Sequence, residues 1–242
     1  MTEAGNFPHF TGMQATGTAG QNWNCTVPDN CTAVYGGLPQ LTNLTAHLAQ
    51  LQTDIETILP DKDWSGVANI DWEAWKPDWK QNTYNEYWIY INRSVALVQQ
   101  QHPEWPPAKQ AAQAERDFTS AAQTFWGESI LLARKIRPGG KWGWYNFPGE
   151  ASAPLDDDMM WLFDNVNALF PSIYLESADA DKNIKRVDTQ LAEARRIRDK
   201  VSATTGRHTA DLPIYTFTWM DYCRSRSNSS HRDLVCFQQG CL

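Results

Sequence analysis

An α/β fold built from parallel βαβ units is what the sequence predicts, and three observations predict it. From residue 36 onward, stretches of strand and helix character alternate along the chain. The stretch between Pro39 and Pro60 carries apolar residues at three- and four-residue spacing, while the strand stretches between the helical ones are short and apolar or aromatic. The residues with chemistry to offer fall at the C-terminal ends of the strand stretches, the edge where α/β folds place their sites. A length of 242 residues is enough for one sizeable core, and a single α/β barrel of ordinary size would use nearly all of it.

Residues 1–35 are rich in Gly, Thr, Asn and Pro without either period, and read as an arm or loop. Between Pro39 and Pro60, Leu41, Leu44, Leu48, Leu51, Ile55 and Ile58 repeat with a helical period, and residues 66–72 follow as a strand. Helices are expected over 84–101 and 107–137, the second opened by Pro106-Pro107 and closed by Pro138-Gly139-Gly140. Residues 141–147 form an aromatic strand. A helix over 157–169 begins with an aspartate run suited to its positive end. A short strand at 172–175, a charged helix over 183–204 ending at Gly206, and a strand at 212–219 complete the series. That is about four strands, where a closed barrel wants roughly seven or eight. The expected organisation is an arm over 1–35, a partial α/β domain over 36–223 and a tail over 224–242.

A formal charge of −7 and a pI near 5.2 argue against nucleic acid or an anionic membrane surface as main partner. No apolar run approaches the length of a membrane span. Sequons at Asn24, Asn30, Asn43, Asn92 and Asn228 suggest a secretory route, yet no signal-peptide-like run follows Met1, so the chain is expected to be part of a longer secreted protein. Five cysteines, an odd count, lack metal-site spacing with histidine; Cys25 and Cys31 are placed to close a small loop, and Cys223, Cys236 and Cys241 crowd the end. The five histidines form no cluster, and His47 reads as an ordinary surface histidine on a helix. No metal or organic cofactor is expected, since the chain has no phosphate loop and no nucleophile elbow.

The densest chemistry lies at Asn69-Ile70-Asp71-Trp72-Glu73-Ala74-Trp75. On a strand, Asp71 and Glu73 at i and i+2 project to one face, so one carboxyl is expected to be pushed to a raised pKa while the other stays ionised, the division of labour of glycoside hydrolysis. The tripeptide alone reads more readily as a solvated pair at a strand end. Its surroundings change that reading. Gly36-Gly37-Leu38-Pro39-Gln40, Asp71 to Trp79, Asn92-Arg93-Ser94, Val98 to Pro103, Trp142-Gly143-Trp144-Tyr145-Asn146-Phe147-Pro148 and Pro171-Ser172-Ile173-Tyr174 occur in one order. These words resemble the animal and venom hyaluronidase family of glycoside hydrolases, strongly from Gly36 to Tyr174 and weakly to Asp221.

The resemblance implies a distorted, TIM-like (β/α) barrel, here incomplete, with an active site at the C-terminal strand ends. It implies that Glu73 is the general acid and that the substrate's own acetamido oxygen is the nucleophile, with Asp71 orienting that group and balancing its developing charge. Tyr145 and Tyr174 match the family's pocket tyrosines, and Asp221 is a weaker substrate-binding candidate. Of the twelve tryptophans, Trp72, Trp75 and Trp142 are candidate cleft walls, and Lys76 and Lys80 are candidates for offsetting a polyanionic substrate. Gly149 stands where the family usually has a cysteine. The implied protein is a secreted monomer that hydrolyses hyaluronan, with chondroitin as a further candidate; the alternatives are a chain that binds glycosaminoglycan without cleaving it, or a fragment of the full enzyme.

Overall fold

In the computed structural model, which describes residues 4–16, 22–24, 31–83, 87–149, 153–175, 177 and 179–218, the chain first forms four three-residue strands. Strand β1 (His9–Thr11) pairs antiparallel with β4 (Thr32–Val34), and β2 (Gln14–Thr16) with β3 (Asn22–Asn24). Within the stretch expected as an arm or loop, residues 9–11 and 32–34, and residues 14–16 and 22–24, thus form two small antiparallel ladders. Three-residue strands are too short to show an alternation in sequence, so pairing carried the order that periodicity could not. Cys31 is disulfide-bonded; the other cysteines lie outside the described residues.

A single 3-10 turn at Pro39–Leu41 leads to α1 (Leu44–Ile58), where Asn43 caps the start by accepting from the Ala46 amide at 3.0 Å. Helices α2 (Trp88–Gln101) and α3 (Pro107–Ile136) follow the strand β5 (Val67–Ile70) in sequence. The chain divides into two compact units. The helical unit comprises Thr2–Lys62 and Trp72–Ile136. Its spine is α3, which buries Ala114, Phe118, Ala122, Phe125, Trp126, Ile130 and Ala133 at helical spacing and packs against α1, where Leu51 and Ile55 are buried, and α2, where Ile89 and Val98 are.

The second unit contains Asp63–Asp71 and Arg137–Leu242 and holds the parallel sheet. Strand β5 pairs in parallel with β6 (Lys141–Trp144), register Val67 to Lys141 through Ile70 to Trp144. Parallel bridges then join Tyr145 to Phe170, Leu169 to Ile214 and Ser172 to Phe217, so the four predicted strand stretches are paired in sequence order. The third begins at Leu169, ahead of the expected 172–175, because Leu169 and Phe170 are buried while the sequence punctuates the stretch at Pro171. Gly143 permits this approach: a Cβ there would lie 2.7 Å from the Phe170 ring.

The helix expected over 157–169 is two short ones, α4 (Ala153–Asp158) and α5 (Met160–Asn165). The aspartate run therefore ends a helix instead of opening one. Arg196 and Lys200, both bonded to Asp157, supply the neutralising charge that a helix C-terminus does not. Helix α6 (Ala180–Thr205) begins at Asp179, which caps the Asp181 and Lys182 amides, and stops at Gly206 with φ 73°.

Candidate active site

Asp71 directly follows the last residue of β5, and it closes the α/β unit's first segment. The strand thus stops short of the acid pair, so the shared-face argument from strand periodicity does not hold for Asp71 and Glu73. Asp71 is half-buried with Oδ1 shielded from solvent, whereas Glu73, which belongs to the helical unit, is exposed.

The Tyr145 amide donates to the Ile70 carbonyl at 2.9 Å, extending the ladder by one rung beyond β6. This puts Tyr145 and Asp71 just beyond the C-terminal ends of neighbouring parallel strands. The hydroxyls of Tyr145 and Tyr174 lie 3.1 Å apart, joined by one hydrogen bond. Phe217 of the next strand stretch meets the Tyr145 ring edge-on at 5.0 Å, and Arg186 donates to the Tyr174 carbonyl. Two phenols in contact at the sheet edge where Asp71 ends the neighbouring strand make a set of donors suited to sugar hydroxyls and an acetamido group.

The tryptophans separate. Trp75 is 0 % exposed, its Nε1 donates to the Pro8 carbonyl at 2.7 Å, and its ring packs among Phe118, Phe125 and Trp126; it is core of the helical unit, not a cleft wall. Trp142 is also core, for it sits at the start of β6, where Nε1 donates to the Arg137 carbonyl and the ring meets Trp64, at the far end of the strand from Tyr145. Burying two large aromatic surfaces stabilises more than leaving them for a ligand would. Trp72 is half-buried and stacked on Phe7 at 4.5 Å, with a buried Nε1 that has no partner among the described residues. Lys76 lies over the Tyr87 ring and Lys80 is exposed. Asp221 lies outside the described residues.

His47 departs from the surface reading. It is fully buried, accepts the Asn6 amide at Nδ1 (3.0 Å) and meets Ser129 Oγ at Nε2 (2.8 Å). Ser129 gives its own proton to the Phe125 carbonyl, so Nε2 is the donor and the ring is neutral. Burial holds its pKa down at about 4. Among the described residues, a cleft of about 460 Å³ opens in the helical unit beside Gln40, Leu97 and Phe125, and none of the predicted site residues lines it.

A family model described as hyaluronidase matches residues 25–237. The chain belongs to the hyaluronidase family. Hyaluronidase-1 of Sus scrofa is 36 % identical over 200 residues, covering 76 % of this chain and 45 % of the relative. Hyaluronidase-1 of Homo sapiens is 39 % identical, covering 68 % and 42 %, and a chondroitin hydrolase of Caenorhabditis elegans is 33 % identical, covering 77 % and 43 %. The chain spans less than half the length of these curated relatives. A crystal structure of bee venom hyaluronidase in complex with a hyaluronic acid tetramer superposes with a TM-score of 0.78 at 27 % identity, covering 94 % of this chain and 69 % of that one. The predicted α/β, TIM-like fold is thus the fold of this hyaluronidase family member.

Three contributors to the tyrosine edge escaped the sequence reading. Asn146 turns the chain after Tyr145 with φ 60°, a conformation that Asn tolerates better than most residues, and this was the available signal. Arg186 and Gln190 sit on α6, which reads from its charge alone as a solvated helix, and nothing local marks them.

Proposed function

We propose that the protein hydrolyses β-N-acetylhexosaminide bonds in hyaluronan, with chondroitin as a second substrate, by a retaining, substrate-assisted mechanism. Glu73 protonates the glycosidic oxygen as the bond to the leaving sugar breaks. The acetamido carbonyl oxygen of the substrate attacks the anomeric carbon from the other face, and Asp71 takes the acetamido N–H, orients the group and balances the positive charge that forms on it. Water then opens the cyclic intermediate, giving its proton back to Glu73, so two inversions leave the configuration retained. The phenols of Tyr145 and Tyr174 hold the sugar at the strand ends.

The observation that carries this reading is Asp71 and the Tyr145–Tyr174 pair at the C-terminal ends of consecutive parallel strands in a member of the hyaluronidase family. The relatives' substrates point the same way, with one relative named for chondroitin and one solved with a hyaluronic acid tetramer. The bonded Cys31 and the exposed sequon residues Asn43 and Asn92 support a secreted protein acting outside the cell. No described helix is long and apolar enough to cross a membrane.

Native and chemically de-N-acetylated hyaluronan, offered in parallel with release of reducing ends as the readout, test the mechanism. Cleavage should be confined to the acetylated polymer. Equal rates on both would remove the acetamido nucleophile, and binding of the native polymer without any cleavage would leave only a glycosaminoglycan-binding protein.

A further inference from the structure

Helix α6 turns one stripe of polar side chains toward the strand ends that carry the two tyrosines. Arg186 donates to the Tyr174 carbonyl, and a turn later Gln190 Nε2 donates to the carbonyls of Pro148 (2.8 Å) and Gly149 (2.7 Å), in the turn that follows Tyr145. Glu193 continues the stripe at helical spacing. It is 7 % exposed, and Arg196 occupies both its oxygens, Nε on Oε2 and Nη2 on Oε1, each at 2.7 Å, which fixes it as a carboxylate.

Against Glu193 lies Asp156 of α4, 0 % exposed, and among the described residues neither of its carboxyl oxygens accepts a well-formed hydrogen bond. An ionised carboxylate in that position would be buried with little beyond the Gly149 amide to receive it, and pressed on a second carboxylate. A neutral carboxyl has an O–H to give, and Glu193 can take it. The other charges nearby do not replace this arrangement. Arg196 Nη1 (2.7 Å) and Lys200 Nζ (2.8 Å) both go to Asp157, while Asp164 of α5 takes the Thr204 hydroxyl. The Gly149 amide and the charge of Arg196 favour ionised Asp156 and offset only part of the effect. Burial first, then the hydrogen bond to Glu193 and its negative charge, raise the Asp156 carboxyl to about 8. On the Glu193 side, the Arg196 hydrogen bond leads and the carboxyl is held low.

We propose that Asp156 and Glu193 share one proton, Asp156 donating its O–H to the Glu193 carboxylate, and that this pair is a latch fastening α6 to α4 behind the tyrosine edge. While the proton is present, Gln190 and Arg186 hold the backbone beside Tyr145 and Tyr174 in place. When base takes it, two carboxylates face each other across a dry contact, with Arg196 already shared with Asp157, and the latch opens. The folded state keeps a proton that the unfolded chain releases in the ordinary carboxylate range, so stability falls as pH rises from there to about 8. The inference rests on the proposed function only for the use made of the tyrosines, and it is tested without substrate.

Carbon-13 NMR titration of the side-chain carboxyls in the unaltered chain reads the proton directly. One aspartate carboxyl should stay protonated at neutral pH and titrate in mild alkali. That signal should vanish in Asp156→Asn and move to lower pH in Glu193→Gln, where the repelling charge is gone. In thermal melts the unaltered chain should lose stability between neutral and mildly alkaline pH. Asp156→Asn, whose amide keeps a donor toward Glu193 and cannot ionise, should lack that loss. The latch is refuted if every aspartate carboxyl titrates in the acid range, or if Asp156→Asn shows the same alkaline loss as the unaltered chain. Should the Asn variant fail to fold, the titration of the unaltered chain decides alone.

Discussion

Acidification from pH 7 to pH 4 should remove about 3 kcal/mol of stability through His47 alone. The ring is buried and neutral, with Nδ1 accepting from the Asn6 amide, so a second ring proton would set two donors against each other and place a charge among Phe7 and Phe125. Burial lowers the folded pKa from 6.5 to about 4. The unfolded chain therefore takes up the proton first as pH falls. Stability is complete above the unfolded value, declines through the window between the two, and the loss levels off below the folded one. A displacement of about 2.5 units at 1.36 kcal/mol each gives a limit near 3.4 kcal/mol, of which about 2 is gone by pH 5. The assay is urea unfolding at pH 7, 5 and 4 for the unaltered chain and for His47→Gln, which cannot titrate. The variant should be less stable at pH 7 because it loses the ring contacts, and the gap should close by about 3 kcal/mol at pH 4. A gap of constant size across the three pH values would refute the reasoning.

Asp71→Asn should lower turnover about a hundredfold or more with little change in affinity, because an amide cannot balance the charge on the cyclised acetamido group; steady-state rates on hyaluronan check it. Gly143→Ala should cost about 2 kcal/mol or more, since the added methyl meets the Phe170 ring and the Ala168 carbonyl where β6 and the next strand stretch close up; a fall of about 4 °C or more in Tm is expected, and an unchanged Tm would show that the sheet can yield there.

The long helices were legible for two reasons: the leucines and isoleucines of α1 recur at helical spacing, and α3 is bounded by Pro106-Pro107 at its start and Pro138-Gly139-Gly140 at its end. The strand stretches were legible as apolar words between Gly and Pro, but their limits were not. Strand β5 stops at Ile70, which removes the geometric argument that first picked out the Asp71–Glu73 pair while leaving the resemblance that gives both acids their roles. The segment 153–165 was misread because three consecutive aspartates look like a helix start, whereas their partners, Glu193, Arg196 and Lys200, come from α6, roughly forty residues away. Such long-range pairing leaves no local trace. The same holds for His47, whose burial depends on Asn6 and Ser129, and for Trp75 and Trp142, since a tryptophan suits a core and a sugar cleft equally well in composition.

Hyaluronan depolymerisation by the unaltered chain and by Glu73→Gln, with binding of the polymer measured on the same preparations, bears most directly on the proposed chemistry. The amide keeps the shape of the side chain and cannot deliver a proton, so cleavage should fall by about 10² to 10⁴ while the affinity for hyaluronan is unchanged. Cleavage by Glu73→Gln within a few-fold of the unaltered rate would contradict the assignment of Glu73 as the acid, and with it the mechanism built on the pair.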